Sequence, residues 1–345
     1  MTPRAQQLRE RLSRVPDARV EVSPAVTAAV ADSERYLASD AALRSLAQDP
    51  YWPKWHSPWW HMLLLFELGE ARRIPQRALR AMSERLEAMP VKFFPTVPGE
   101  LAEGLDPQRD ALCHCALASI YQVLAAGGLE VERELPWAKA WLLRYQMADG
   151  GLTCDNDAYR VTHECPSSMV GTVSPLEAML LGDPAAWSAE QRSFVDRAAG
   201  FLVGRELRKG SSSVHNAEER EMEPAWLQPC FPRFYFYDVL RGASALVRWA
   251  ELRAATLPLA SVEAVATHLC ATFPDGVVRA QRQAYAGRRT WAQDGAGAWE
   301  RQATSSFALL EATSVLGEPS PWLTREWAQT RQGLLRLLQA GRLRA

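Results

Sequence analysis

The chain has 345 residues, 48% of them hydrophobic, which is enough for one large domain or two ordinary ones with a substantial core. Its formal net charge of −1 gives no electrostatic argument for binding nucleic acid or an anionic membrane surface. No apolar stretch approaches the roughly 18 residues that a membrane span requires, and the N-terminal end lacks the apolar segment of a signal peptide.

The six cysteines are spread along the chain from position 113 to position 270. This spacing differs from the dense pattern of small secreted domains, whose cysteines form a disulfide framework. Because no export signal precedes them, we expect reduced thiols in a cytoplasmic protein.

Residues 1–30 are polar and are expected to form an arm or a peripheral helix, ahead of one domain over 31–345. From there, apolar residues recur at helical spacing. Amphipathic helices alternate with almost wholly apolar ones, and a helix that is apolar on every side is expected to be buried on every side. The predicted helices cover 33–48, 58–69, 75–89, 109–126, 136–147, 166–181, 188–207, 232–252, 261–272, 301–316 and 320–340.

The apolar helices begin near residues 58, 110, 166, 232 and 302, at comparable intervals, so the chain is a repeat of helical hairpins. An open solenoid and a closed ring share this local pattern. We favour the ring, because an open array needs polar capping helices. The loops 209–224 and 275–300 are longer than simple connections and are candidate lids.

One helix end carries a recognisable motif, from Trp141 through Gln146 to Asp149-Gly150-Gly151, with a second, degenerate copy at 273–276. This run resembles the repeat motif of the terpenoid cyclase and protein prenyltransferase superfamily, which includes squalene cyclase-like proteins. The resemblance implies an all-α fold, the α/α toroid. Its inner helices would surround a central pocket lined by their N-terminal ends.

The resemblance also implies a zinc site, which protein prenyltransferases build from an Asp-x-Cys pair and a His. At the matching place this chain has His163-Glu164-Cys165, and the next inner helix opens with Cys230. One imidazole and two thiolates suit zinc and leave a position open. His163, Cys165 and Cys230 are therefore the predicted ligands, and His114 is a possible fourth donor. No motif for a nucleotide cofactor is present in the sequence.

Acid–base chemistry is the second candidate. Cyclases that begin by protonation carry an Asp-x-Asp-Asp motif, and this chain has Asp155-Asn156-Asp157-Ala158, one carboxylate short. Asp157 and Glu164 are the predicted acid or base groups. Tyr235 is a further catalytic candidate.

Residues that flank the first turns of the inner helices are expected to face the pocket and bind a small-molecule substrate. Arginines among them would orient an anionic group. The predicted binding residues are Trp55, His56, Trp59, His114, Arg233, Tyr237 and Arg301.

Three functions follow as hypotheses. The first is an enzyme of the terpenoid cyclase or prenyltransferase type, acting on a small or isoprenoid-like substrate. The second is a carbohydrate-active α/α-barrel enzyme, in which Asp157 or Glu164 would face a second acid such as Asp110. The third is a non-catalytic toroid that binds a small molecule in an aromatic cavity.

Overall fold

The computed structural model describes residues 2–89, 103, 105, 111–283, 285 and 289–344, and Asp110 lies outside these ranges. The described chain is mostly helical, which confirms the predicted all-α class. Its α-helices are α1 Pro3–Arg14, α2 Pro24–Leu37, α3 Asp40–Gln48, α4 Pro58–Glu67, α5 Gln76–Glu87, α6 His114–Gly127, α7 Val131–Glu134, α8 Trp137–Arg144, α9 Met169–Met179, α10 Ala189–Gly204, α11 Glu223–Trp226, α12 Val239–Leu252, α13 Glu263–Thr272, α14 Ala308–Thr313 and α15 Pro321–Gln339.

The described part also contains two small sheets. Strands β1 (Leu257–Pro258) and β4 (Leu343–Arg344) are parallel. Strands β2 (Arg289–Gln293) and β3 (Trp299–Ala303) form an antiparallel hairpin. The Asp294 carboxylate sets the turn between β2 and β3, because it accepts hydrogen bonds from the backbone N–H groups of Ala296 and Ala298, each at 2.8 Å. The predicted helix 301–316 is therefore shorter, since its first residues belong to β3.

The apolar helices pack side by side in chain order. Helix α4 contacts α6, α6 contacts α9, and α9 contacts α12. At the ends of this row, α2 contacts both α4 and α14, and the amphipathic α15 contacts α12. The amphipathic helices cover them from outside: α5 contacts α3 and α6, and α10 contacts α8, α9 and α12. This order agrees with the predicted series of apolar helices for α4, α6, α9 and α12, whereas the fifth predicted apolar helix, α14, contacts α2. Closure into a toroid stays a prediction.

Helices α4, α6 and α9 are buried on nearly every side, as their apolar composition predicts. Pro175 lies inside α9, which continues past it to Met179 rather than splitting. No helix in the described part of the chain combines the length and apolar character needed to cross a membrane.

The predicted N-terminal arm contains a packed helix. Ala5, Leu8 and Leu12 recur at helical spacing on α1 and are buried against α13 and α15. The Arg331 guanidinium of α15 donates to the backbone carbonyl of Leu12 at 2.9 Å. Helix α1 is thus packed against the end of the chain.

Three helix starts differ from the prediction because polar N-caps fix them. Ser39 accepts from the N–H of Ala42 and begins α3, which divides the predicted helix 33–48 in two. Ser168 caps α9, which begins at Met169, three residues after the predicted start. Asp238 caps α12, which begins at Val239 rather than near 232.

Candidate metal centre

Three cysteine side chains meet at the start of α6. The sulfur atoms of Cys113, Cys115 and Cys154 all lie within 4.8 Å of one another. The Sγ atoms of Cys113 and Cys115 are 2.9 Å apart. Cys115 is buried, while Cys113 and Cys154 are partly exposed. Histidine, cysteine and acidic side chains are the usual metal ligands. Among the residues that the structure describes, these three cysteines are the group that lies close enough together to hold a metal ion.

Two segments supply these thiols. Cys113 is the N-cap of α6 and has an extended backbone, and Cys115 lies in the first turn of that helix. Residues two apart within a helix point in different directions. The extended N-cap allows the two side chains to meet. Cys154 comes from the loop before α9, where Leu152 and Ser168 pair as an isolated β-bridge.

The Gln-Asp-Gly-Gly motif holds the loop that carries Cys154. The Gln146 side chain donates to the backbone carbonyls of Gly150 at 2.8 Å and of Phe194 at 3.0 Å. The Asp149 carboxylate accepts from the N–H of Gly151 at 3.1 Å. Gly150 has φ +90°, and a Cβ there would lie 2.3 Å from a backbone oxygen. The motif therefore has a structural role in this chain.

The three thiols differ in acidity. Hydrogen bonds from Cys115 and then from Cys154 lower the pKa of Cys113, and the backbone N–H of Ala116 acts in the same direction. The same interactions raise the pKa of Cys154. Thiolates are favoured at helix N-termini. Cys113 is therefore the most acidic thiol of the group.

A cavity of about 480 Å³ opens beside this cluster. Cys113 and Cys154 form part of its wall, so a ligand in the cavity would contact the sulfur atoms. The other polar side chains on the wall include those of Lys54, Asp155 and Asp157. The arrangement thus places thiols that could hold a metal ion, one ammonium and two carboxylates around a volume that fits a small molecule.

The ammonium of Lys54 lies among aromatic rings. Its Nζ donates to the hydroxyl of Tyr235 at 2.8 Å. Five ring centroids lie between 5.0 and 5.8 Å from Nζ, within the range of cation–π attraction. These rings belong to Tyr51, Trp52, Trp55, Trp60 and Tyr235. The predicted residues Trp55 and Tyr235 are therefore close to the cavity.

The predicted ligands His163, Cys165 and Cys230 are not the group that the structure assembles. Because α9 begins at Met169, Cys165 lies four residues before the helix instead of directly before it. Cys230 is buried, with Sγ 3.4 Å from a guanidinium nitrogen of Arg282, and burial raises its pKa to about 12.

The predicted acids lie in different settings. Asp157 is on the cavity wall but is exposed and pairs with Arg160 at 2.7 Å. Glu164 accepts from the N–H groups of His215 and Val214, each at 2.8 Å. These hydrogen bonds, with that of His215 the largest cause, lower the pKa of Glu164 to about 2. Glu164 therefore holds the 209–224 segment as an ionised carboxylate, which does not suit a general acid.

The remaining predicted binding residues are dispersed. Trp59 is buried in the core, and Tyr237 donates from its hydroxyl to the carbonyl of Leu207 at 2.6 Å. His56 is exposed beside Ser305. Arg301 lies on β3, with its guanidinium 5.1 Å from the ring centroid of Trp291.

His114 is buried next to the cysteine cluster. Its Nδ1 lies 3.1 Å from both the carbonyl of Thr153 and the hydroxyl of Tyr159. Burial lowers its pKa to about 4, so the imidazole is neutral at physiological pH. This contact joins α6 to the loop of Cys154.

Arg233 belongs to a second cavity, of about 310 Å³. There it pairs with Asp238 at 2.7 Å and with Glu326, while Arg241 pairs with Glu177 at 2.6 Å. Since these guanidinium groups already bind carboxylates, they hold helices together, and Arg233 does not line the cavity of the cysteines.

Sequence reasoning did not combine Cys113, Cys115 and Cys154 into one site. The available signal was the Cys-x-Cys pair at a helix start together with a cysteine three residues after the Asp-Gly-Gly motif. No family model, curated protein or solved structure matches this chain. The fold and the site define a helical protein with a three-cysteine group that could hold a metal ion.

Proposed function

We propose that the protein is a zinc-dependent enzyme that acts on a small molecule in the cavity beside Cys113, Cys115 and Cys154. One observation carries the proposal: three thiols from two segments have their sulfurs within 4.8 Å of one another and adjoin a cavity of about 480 Å³. A purely structural zinc site is closed by four protein ligands, whereas a catalytic one keeps a position for water or substrate.

The donor set favours zinc. Thiolates are soft ligands that select zinc, copper(I) or iron–sulfur clusters, and they bind magnesium and calcium poorly. Zinc takes four ligands in a tetrahedron, so three cysteines would leave one position for a ligand from the cavity. The lowered pKa of Cys113 favours this, because a ligand thiol must lose its proton.

When bound, zinc would supply Lewis acidity to a ligand atom in the cavity. The chain's own groups would do the rest. The Lys54 ammonium provides a fixed positive charge, and the hydroxyl of Tyr235 provides a donor next to it. Asp157 provides an exposed carboxylate on the cavity wall.

We extend the proposal to the terpenoid cyclase and prenyltransferase type of enzyme. The alternation of apolar and amphipathic helices and the Asp-Gly-Gly turn support it. The aromatic side chains Tyr51 and Trp52 on the cavity wall would suit an isoprenoid-like or other apolar part of a substrate. The exposed acids Asp155 and Asp157 indicate that another part of the substrate is polar.

Metal content tests the proposal. We expect one zinc per chain when the purified protein is analysed by plasma mass spectrometry. Separate Cys113→Ser, Cys115→Ser and Cys154→Ser variants should lose most of this zinc, because each removes one of three thiolate ligands.

Two matched controls remove thiols outside the cluster. Cys165→Ser and Cys270→Ser should retain the zinc of the parent protein. The proposal is wrong if the parent protein carries no zinc, or if the three cluster variants retain it. Retention in the cluster variants with loss in Cys165→Ser would instead favour the ligands predicted from the sequence.

A further inference from the structure

Lys54 places a positive charge in the proposed active cavity. Its side chain is partly buried and lines the same wall as Cys113 and Cys154. Across the described ranges of the chain, no carboxylate forms an ion pair with it, although many other basic side chains there do. An ammonium has three N–H donors, and the hydrogen bond from Lys54 to the Tyr235 hydroxyl uses one of them. The others remain for a ligand.

The surroundings of the Lys54 ammonium favour a negatively charged ligand. Aromatic rings lie on several sides of Nζ, at 5.0 Å for Trp52 and 5.1 Å for Tyr235. These rings replace part of the water around the ammonium, and a charge removed from water needs compensation. Cation–π attraction supplies a part of it. A ligand anion would supply the rest.

Tyr235 adds a donor beside the ammonium. The oxygen of Tyr235 accepts a hydrogen bond from the Lys54 ammonium, and a tyrosine hydroxyl can donate its own hydrogen at the same time. The hydroxyl of Tyr51 also interacts with it. An ammonium and a hydroxyl side by side can bind the two oxygens of one carboxylate.

The same wall disfavours a doubly charged ligand. The carboxylates of Asp155 and Asp157 line the cavity, although Asp157 also pairs with Arg160, and no arginine is among the described lining residues. Arginine forks are the usual partners of phosphate groups. A monoanion therefore fits the charge of the cavity better than a phosphate or diphosphate.

We propose that the substrate is a small monocarboxylate whose carboxylate binds Lys54 and the Tyr235 hydroxyl. The rest of the substrate would extend toward Cys113 and Cys154, and this part of the inference rests on the proposed function. Lys54 and Tyr235 are then binding residues that orient the substrate in front of the thiols.

Calorimetric titration with benzoate tests the inference, with benzamide as its uncharged analogue and inorganic phosphate as the competing anion. The full-length protein should bind benzoate in preference to both other probes. Lys54→Met should weaken benzoate binding by about tenfold or more, since a hydrogen bond to a charged group is lost. Lys54→Arg should retain most of the affinity, and Lys209→Met, which removes an exposed lysine elsewhere, should change nothing.

Equal benzoate affinity in the parent protein and Lys54→Met would overturn the inference, as would equal binding of benzamide. Tighter, Lys54-dependent binding of phosphate would overturn the carboxylate assignment. The titrations are repeated after removal of metal by a chelator, where the effect of Lys54→Met should persist. A protein without zinc would therefore contradict the proposed function alone, and the Lys54 result would decide the inference separately.

Discussion

At the residue scale, the cysteine cluster depends on unequal thiols. Hydrogen bonds with Cys115 and Cys154 lower the pKa of Cys113, whereas burial raises the pKa of Cys270 to about 11. The thiolate is the nucleophilic form of cysteine. Reactivity toward an alkylating reagent therefore reports the state of each thiol.

We expect iodoacetamide to modify Cys113 faster than Cys270 in metal-free protein at neutral pH. Zinc added before the reagent should protect Cys113 and leave the modification of Cys270 unchanged. Peptide mass spectrometry at timed intervals measures both rates. Equal modification rates of the two cysteines would contradict the lowered pKa of Cys113. Failure of added zinc to protect Cys113 would contradict its proposed role as a zinc ligand.

The sequence indicated some of the residues that lie near the site, but it did not indicate which residues they contact. The position of Trp55 before the predicted helix at 58, and of Tyr235 in the first turn of the predicted helix at 232, indicated that both lie at the site, and both lie near Lys54. The grouping of Cys154 with Cys113 depends on how the loop after Gly151 folds back onto α6. That is a contact between distant segments, which local spacing does not specify.

At the element scale, the 209–224 segment is bound to the loop that precedes α9. Glu164 accepts from two backbone N–H groups of this segment, and Asn216 donates to the carbonyl of Ser167 at 3.3 Å. The buried Glu219 accepts from the N–H of Met169 at 2.6 Å. The segment therefore fixes the loop between Cys154 and α9.

Glu219 makes this contact dependent on pH. Burial raises its pKa from an ordinary value of 4.5 to about 7. The folded state therefore binds a proton between pH 4.5 and 7 that the unfolded chain has released, so this group lowers stability as the pH rises through that window. We expect Glu219→Gln to reduce that slope and to raise the free energy of unfolding at pH 8 by up to roughly 3 kcal/mol relative to the parent.

Urea unfolding at pH 5 and at pH 8 measures this difference. The matched control is Glu221→Gln, which changes an exposed acid of the same segment and should leave the slope as it is. An unchanged pH dependence in Glu219→Gln would show that Glu219 is not the titrating group.

The presence of the helices was predictable from the spacing of apolar residues, but the residues at which they begin were harder to predict. Ser168 and Asp238 begin α9 and α12, although Pro166 and Pro232 also resemble first-turn residues. A side-chain cap decides the start only when its oxygen reaches a backbone N–H, which depends on the local backbone. This difference leaves Cys165 four residues before α9, whereas the predicted start at 166 placed it directly before the helix.

At the scale of the whole molecule, the N-terminal helix is part of the packed structure. Leu8 and Leu12 of α1 are fully buried against α13 and α15. The sequence of residues 1–30 is polar overall, and only the spacing of its few apolar residues indicates a buried face. Composition alone therefore underestimated how much of the chain is packed.

We expect Leu12→Ala to lower the free energy of unfolding by about 2 to 5 kcal/mol, the usual cost of a large-to-small change in a core. Ser13→Ala, at the exposed neighbouring position, should change it by less than about 0.5 kcal/mol. Denaturant unfolding measures both. An equal, small effect of the two substitutions would mean that α1 is not packed in solution.

The central claim is that Cys113, Cys115 and Cys154 bind zinc beside the cavity. An anomalous difference map from crystals of the protein, with data collected on both sides of the zinc absorption edge, tests it most directly. We predict one zinc peak about 2.3 Å from each of the three sulfur atoms. No peak between these sulfurs, or a zinc peak at His163, Cys165 or Cys230 instead, would contradict the account.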